Sequence, residues 1–98
     1  MVPDFSASYA ESQRNLLAFL QIDLELCFTF ADLVNTELRI GDREAALRVN
    51  AKAQLAYDTI AHLSLRVDDD AAKNEVHQRL TELRARLDGL QHDLQPAI

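Results

Sequence analysis

Residues 16–40 read LLAFLQIDLELCFTFADLVNTELRI, and the spacing of their apolar side chains decides the fold. Leu17, Leu20, Leu24, Cys27, Ala31, Val34 and Leu38 recur at alternating three- and four-residue intervals, the period that keeps one seam of an α-helix facing its neighbours. On a wheel of about 100° per residue, apolar residues continue well beyond that seam. They run from Phe28 through it to Leu16, Phe30, Phe19, Leu26, Leu33, Ile22 and Ile40, an arc of roughly 240°. Arg14, Ala18, Gln21, Glu25, Thr29, Asp32, Thr36 and Arg39 fill the rest. Each neighbour in a bundle covers about 100° of such a surface, so two neighbours leave part of the arc without a cover.

Chain breakers fall in two places. At Ile40-Gly41-Asp42, Gly41 can adopt the left-handed conformation that closes one helix, and Asp42 can cap the next. At Asp68-Asp69-Asp70 the carboxylates can cap a helix and favour its positive N-terminal end. Ser8-Tyr9-Ala10-Glu11 fits a capping box at the start, with Asp4 or Ser6 as earlier alternatives. These signals predict helices at about 6–39, 43–67 and 69–93. Turns this short make successive helices antiparallel. The expected fold is all-α, an up-down-up antiparallel three-helix bundle with a long first helix, formed as a single domain over residues 1–98.

The second helix carries its seam on Ala46, Val49, Ala53, Ala56, Ile60, Leu63 and Val67, whose alanines let a neighbouring backbone approach closely. The third carries Val76, Leu80, Leu83, Leu87, Leu90 and Leu94 on an otherwise polar surface, a stripe wide enough for one groove. Glu75 with Arg79 and Glu82 with Arg86 stand at i,i+4, the spacing of ion pairs along a solvated face. A first helix of about 33 residues spans roughly 50 Å against about 37 Å for the others. Tyr9, and Phe5 before it, are therefore expected to project past the bundle, where they meet a partner or fold back over its end.

Ten Lys and Arg against sixteen Asp and Glu give a net charge of −6, the wrong sign for nucleic acid or an anionic membrane surface. The stretch from Leu16 to Val34 is broken by Gln21, Asp23, Glu25 and Asp32, too polar for a span of about 20 residues through hydrocarbon. Cys27 has no second cysteine to pair with, and no export leader opens the sequence. A cytoplasmic setting follows as the expectation.

Chemistry-bearing residues do not converge. Asp23 falls inside the apolar arc, where an ionised carboxylate needs a partner such as Lys52 or Arg48, or a role in fixing the register of a dimer. His62 lies opposite the second seam, while His77 and His92 lie on the polar side of the third helix. No Glu-x-x-His pair, His-Glu-x-x-His motif or cysteine pair is present to bind a metal. Cys27 sits in the first seam as a small core residue. Without a phosphate loop, a nucleophile elbow or a convergent polar set, the expectation is a non-enzymatic chain with neither metal nor cofactor.

Gly41-Asp42-Arg43-Glu44-Ala45-Ala46-Leu47, followed by Asn50 and Ala53 and preceded by the bulky Phe30 and Leu33, resembles the turn and second helix of a tetratricopeptide repeat. It is equally similar to the middle of the microtubule-interacting-and-transport type of three-helix domain. The resemblance covers residues 30–53 and departs from the repeat at Asn50, where an aromatic is usual, and at Val34, where a small residue is usual. No second repeat follows. It implies a helical module that binds peptides or helices in a groove; small residues at a tight helix crossing account for the same pattern without ancestry. The sequence thus points to an interaction or scaffold module that forms a homodimer through the outer face of helix 1, with Tyr9, Leu16, Phe19, Ile22, Asp23, Leu26, Phe30 and Leu33 at the interface. The alternative is a groove on that face for another protein's amphipathic helix or an apolar small ligand.

Overall fold

The computed structural model describes residues 5–95, with side chains from residue 7 onward. Three helices follow in order, α1 (Phe5–Arg39), α2 (Arg43–Ser64) and α3 (Asp70–Leu94). They form the three-helix bundle that the spacing predicts. The first helix already runs at Phe5, so Ser8 and Glu11 lie inside it and do not form the expected capping box. The alternative cap Asp4, and the side chains of Phe5 and Ser6, lie outside the described residues.

The first turn forms as its residues dictate. Gly41 takes φ +83°, open to glycine without steric cost. Its N–H donates to the Leu38 carbonyl at 3.2 Å, and that of Asp42 to the Glu37 carbonyl at 2.9 Å, satisfying carbonyls left free at the end of α1. Asp42 then caps α2, its carboxylate accepting from the Ala45 N–H at 3.0 Å.

The second turn departs from expectation. The second helix stops at Ser64, three residues before position 67, and the N–H groups of Leu65, Arg66 and Val67 donate to the carbonyls of His62, Leu63 and Ser64. This i,i+3 pattern tightens the chain into its turn. A distant residue holds it there. The Gln13 side chain donates through Nε2 to the Arg66 carbonyl at 3.0 Å and accepts through Oε1 from the Asp68 N–H at 3.0 Å. Asp69 caps α3 by accepting from the Ala72 N–H at 2.9 Å. Both clamp bonds are exposed, so Gln13→Ala is expected to lower stability by about 1–2 kcal/mol with no loss of helix, measured by urea unfolding. An unchanged midpoint would mean that water replaces the clamp at no cost.

The core is one continuous cluster. Leu20, Leu24, Cys27, Ala31 and Val34 of α1 meet Ala46, Ala53 and Ile60 of α2, and all six stripe residues of α3 close over them. Cys27 Sγ donates to the Ala53 carbonyl at 3.2 Å, which places residue 27 level with residue 53. The small, fully covered Ala31, Ala46 and Ala53 let the first two backbones approach this closely. Asn50 and Ser64 are also buried, beyond the expected apolar seam. Asn50 donates to Gln91 Oε1 at 3.1 Å, while its own side-chain oxygen is buried without a hydrogen bond.

Arg84 of α3 pairs along its own helix with Asp88 at 3.2 Å, but Arg79 and Arg86 do not pair in that way. Arg79 reaches Glu25 at 2.8 Å and Arg86 reaches Asp32 at 3.1 Å, in place of the expected partners Glu75 and Glu82. Both guanidinium groups also stack on Phe28, 5.0 and 5.1 Å from its ring centre. A ring between two arginines rewards the cross-helix rotamers, which an i,i+4 pair on a solvated face cannot match. At the far end, Arg43 donates to the Leu94 carbonyl.

The bundle is 67 Å long and 21 by 16 Å across. Because Gln13 stands level with the second turn, the start of α1 extends about 12 Å beyond it. Tyr9, 54% exposed, lies on this extension.

Candidate functional site

The contacts of α1 show which way each of its sides points. Glu25, Phe28 and Asp32 face α3 through their arginine partners. Cys27 faces α2. Phe19, Leu26 and Leu33 lie opposite α3 on the wheel, seven residues apart and therefore on one line along the helix. All three are exposed, Leu26 at 45%, and Ile22 beside them is 67% exposed. The second helix continues this surface. Asn50 and Tyr57 turn toward α3, where they meet Gln91 and Arg84, which places Arg48, Lys52, Leu55 and Thr59 on its opposite side. Leu55 is 70% exposed.

Of the eight residues expected at an interface, Phe19, Ile22, Leu26 and Leu33 thus form the exposed apolar line. Leu16 and Phe30 are half-buried against the chain's own core and form the floor beside it. Tyr9 is separate, on the projecting end. Asp23 is half-buried at the edge of the line, on the side of Cys27. Among the described residues no ion pair or hydrogen bond engages its carboxylate, and Arg48, one expected partner, pairs with Glu44 at 3.3 Å instead. Lys52, the other expected partner, makes no ion pair with Asp23 among the described residues, and Leu55 escapes a reading of helix 1 alone, since its membership depends on how α2 is rotated. The signal for it is a leucine standing outside the second seam with no apolar role within the bundle.

Elsewhere, chemistry-bearing groups are scattered. His62, His77 and His92 are exposed, and among the described residues the one polar contact of their rings is His77 Nε2 at 3.4 Å from Ser64 Oγ. Among the described residues no group of three or more His, Cys, Asp or Glu is placed to hold a metal ion. The Cys27 thiol is fully covered, and burial pushes its pKa up to about 11, with the charge of Asp23 acting in the same direction. A thiol so shielded is a poor nucleophile. A groove of about 290 Å³ between α1 and α3 has Leu17, Leu24, Ala72 and Val76 among its lining, with Glu25, Glu75 and Arg79. It brings together carboxylates and an arginine that Glu25 already engages. Among the described residues no helix is long and apolar enough to cross a membrane.

Comparison of the chain with protein-family models, curated proteins and solved structures finds no match to any of them.

Proposed function

We propose that this chain is a non-enzymatic interaction module that self-associates through the face of α1 and α2 turned away from α3. The observation that carries this reading is the exposed line of Phe19, Ile22, Leu26 and Leu33, continued by Leu55 across the groove. Scattered apolar residues on a surface are ordinary, but a contiguous apolar strip of this length marks a contact site. The strip lies on α1 and α2, whose opposite sides are buried in the core, so its backbone is already fixed by helix packing. The likeness of residues 30–53 to tetratricopeptide and microtubule-interacting hairpins is in keeping with a helical surface that receives another helix. A two-fold homodimer is the commonest closed assembly, and it would join two hairpins face to face with α3 outermost on each side.

Light scattering tests this directly. The native chain is expected to have twice its monomer mass at micromolar concentration, and Leu26→Glu to reduce it to monomer while leaving helical content unchanged, since Leu26 has little part in the chain's own core. A native chain that stays monomeric, folded and soluble over the whole concentration range would overturn self-association.

A further inference from the structure

The charged and apolar residues of the outer face have an order that selects one arrangement of two copies. The Cys27–Ala53 contact sets the levels of the hairpin, and because α1 and α2 run antiparallel it puts Lys52 level with residue 28. Asp23 lies five residues earlier, about 7–8 Å along the axis. Both border the groove between the helices, on the side away from α3. A two-fold axis crossing the helices at the level of Leu26 would exchange these two levels, bringing each Asp23 opposite the other copy's Lys52. The same axis stacks Leu26 on its own symmetry mate. It also sets Phe19 opposite Leu33, since these stand seven residues to either side of Leu26.

Resting on the self-association reading above, we propose that the partner is a second copy of this chain, packed antiparallel about a two-fold axis at Leu26, with each Asp23 bridged to the other copy's Lys52. Three observations converge on it. The apolar line is palindromic about Leu26, which suits an isologous contact in which one patch meets itself. The face carries opposite charges at the two levels that the axis exchanges, Asp23 and Lys52, although the whole chain carries −6. The half-buried, unpaired Asp23 needs a cation once the face is covered, because a carboxylate sealed from water without one is too costly. The area is sufficient too. Two helices side by side over the span from Leu16 to Glu37 offer a face about 30 Å by 20 Å, roughly 600 Å² per partner, which clears the total of about 1,000 Å² expected of a specific interface.

Charge exchange decides between arrangements. In Lys52→Glu chains each Asp23 would face a carboxylate, and in Asp23→Lys chains each Lys52 would face an ammonium group. Each variant alone is expected to weaken the dimer at least about 10-fold by sedimentation. An equimolar mixture of the two is expected to form a heterodimer within about threefold of native affinity, because both of its bridges regain opposite charges. Lys52 is exposed, so Lys52→Glu folds normally and decides the question even if Asp23→Lys loses helical content. A dimer that Leu26→Glu disrupts but Lys52→Glu leaves unchanged would overturn this arrangement and leave the self-association reading standing. Two variants that fold and weaken the dimer but fail to rescue one another would overturn it in the same way. A native chain that never dimerises overturns both.

Discussion

Leu83→Ala is expected to lower the unfolding free energy by about 2–5 kcal/mol, and the melting temperature by roughly 10–30 °C. Leu83 is fully covered at the middle of α3, with Leu80 and Leu87 on either side of it in the stripe. That stripe is nearly all the apolar surface α3 has, so nothing on its other faces compensates for a gap at the centre. The cost combines lost transfer of the side chain from water with a cavity that the fully packed core cluster around it cannot collapse to fill. Against a total of about 5–15 kcal/mol for a domain of ordinary stability, this is a large share. Leu55→Ala provides the contrast. It removes the same atoms from a side chain that is 70% exposed, and it is expected to leave the stability of the monomer within about 0.5 kcal/mol. Urea unfolding of both variants checks the pair, and similar losses from the two would mean that α3 is not held by its stripe.

That contrast reflects what is legible in the residues. The stripe of α3 is readable in full, because all six of its residues are buried where a 3.6-residue period puts them and none competes with another apolar face. Gly41 and Asp42 are equally readable, since a turn needing positive φ and a cap needing a short carboxylate are local demands. The end of α2 is not. The turn that follows it is braced by Gln13, 53 residues away from Arg66, and no window around Leu65 contains that contact. Periodicity continues through Val67, which is buried although the helix has ended, so the seam outlasts the element. Arg79 and Arg86 of α3 depart from their spacing for a related reason. Glu75 and Glu82 stand within reach along the helix, but the ring of Phe28 and the acids of α1 offer a better set of partners across the groove. For the outer face, the wheel ranks directions correctly without showing coverage. Leu16 and Phe30 lie at its edge, where the chain's own α2 half-covers them, while Phe19, Leu26 and Leu33 remain open.

The Cys27 thiol is expected to be unreactive in the folded chain, and its resistance measures how completely the first two helices close. Burial raises its pKa from 9.0 to about 11, the Asp23 charge adds to the rise, and a backbone hydrogen bond involving Tyr57 opposes it. At pH 8 a group of pKa about 11 is roughly 0.1% thiolate, against roughly 10% for a thiol at 9.0, so alkylation of the folded protein should be at least about 100-fold slower than in urea. Steric cover can only widen that ratio. The raised pKa also makes stability depend on pH in a definite direction. Because the folded value lies above the unfolded one, between pH 9 and 11 the unfolded chain has lost its thiol proton while the folded chain keeps it, and stability falls as pH rises. The contribution is fully present below pH 9, and a rise from 9.0 to about 11 corresponds to a loss of roughly 2–3 kcal/mol by pH 11 and above. The measurement is a difference between two proteins, which isolates the thiol. Native protein should lose roughly that much more stability than Cys27→Ala between pH 8 and 11 in urea unfolding. Parallel curves for the two proteins, or alkylation within about tenfold of the unfolded rate, would mean that the α1–α2 seam opens at Cys27 far more readily than its packing against Ala53 allows.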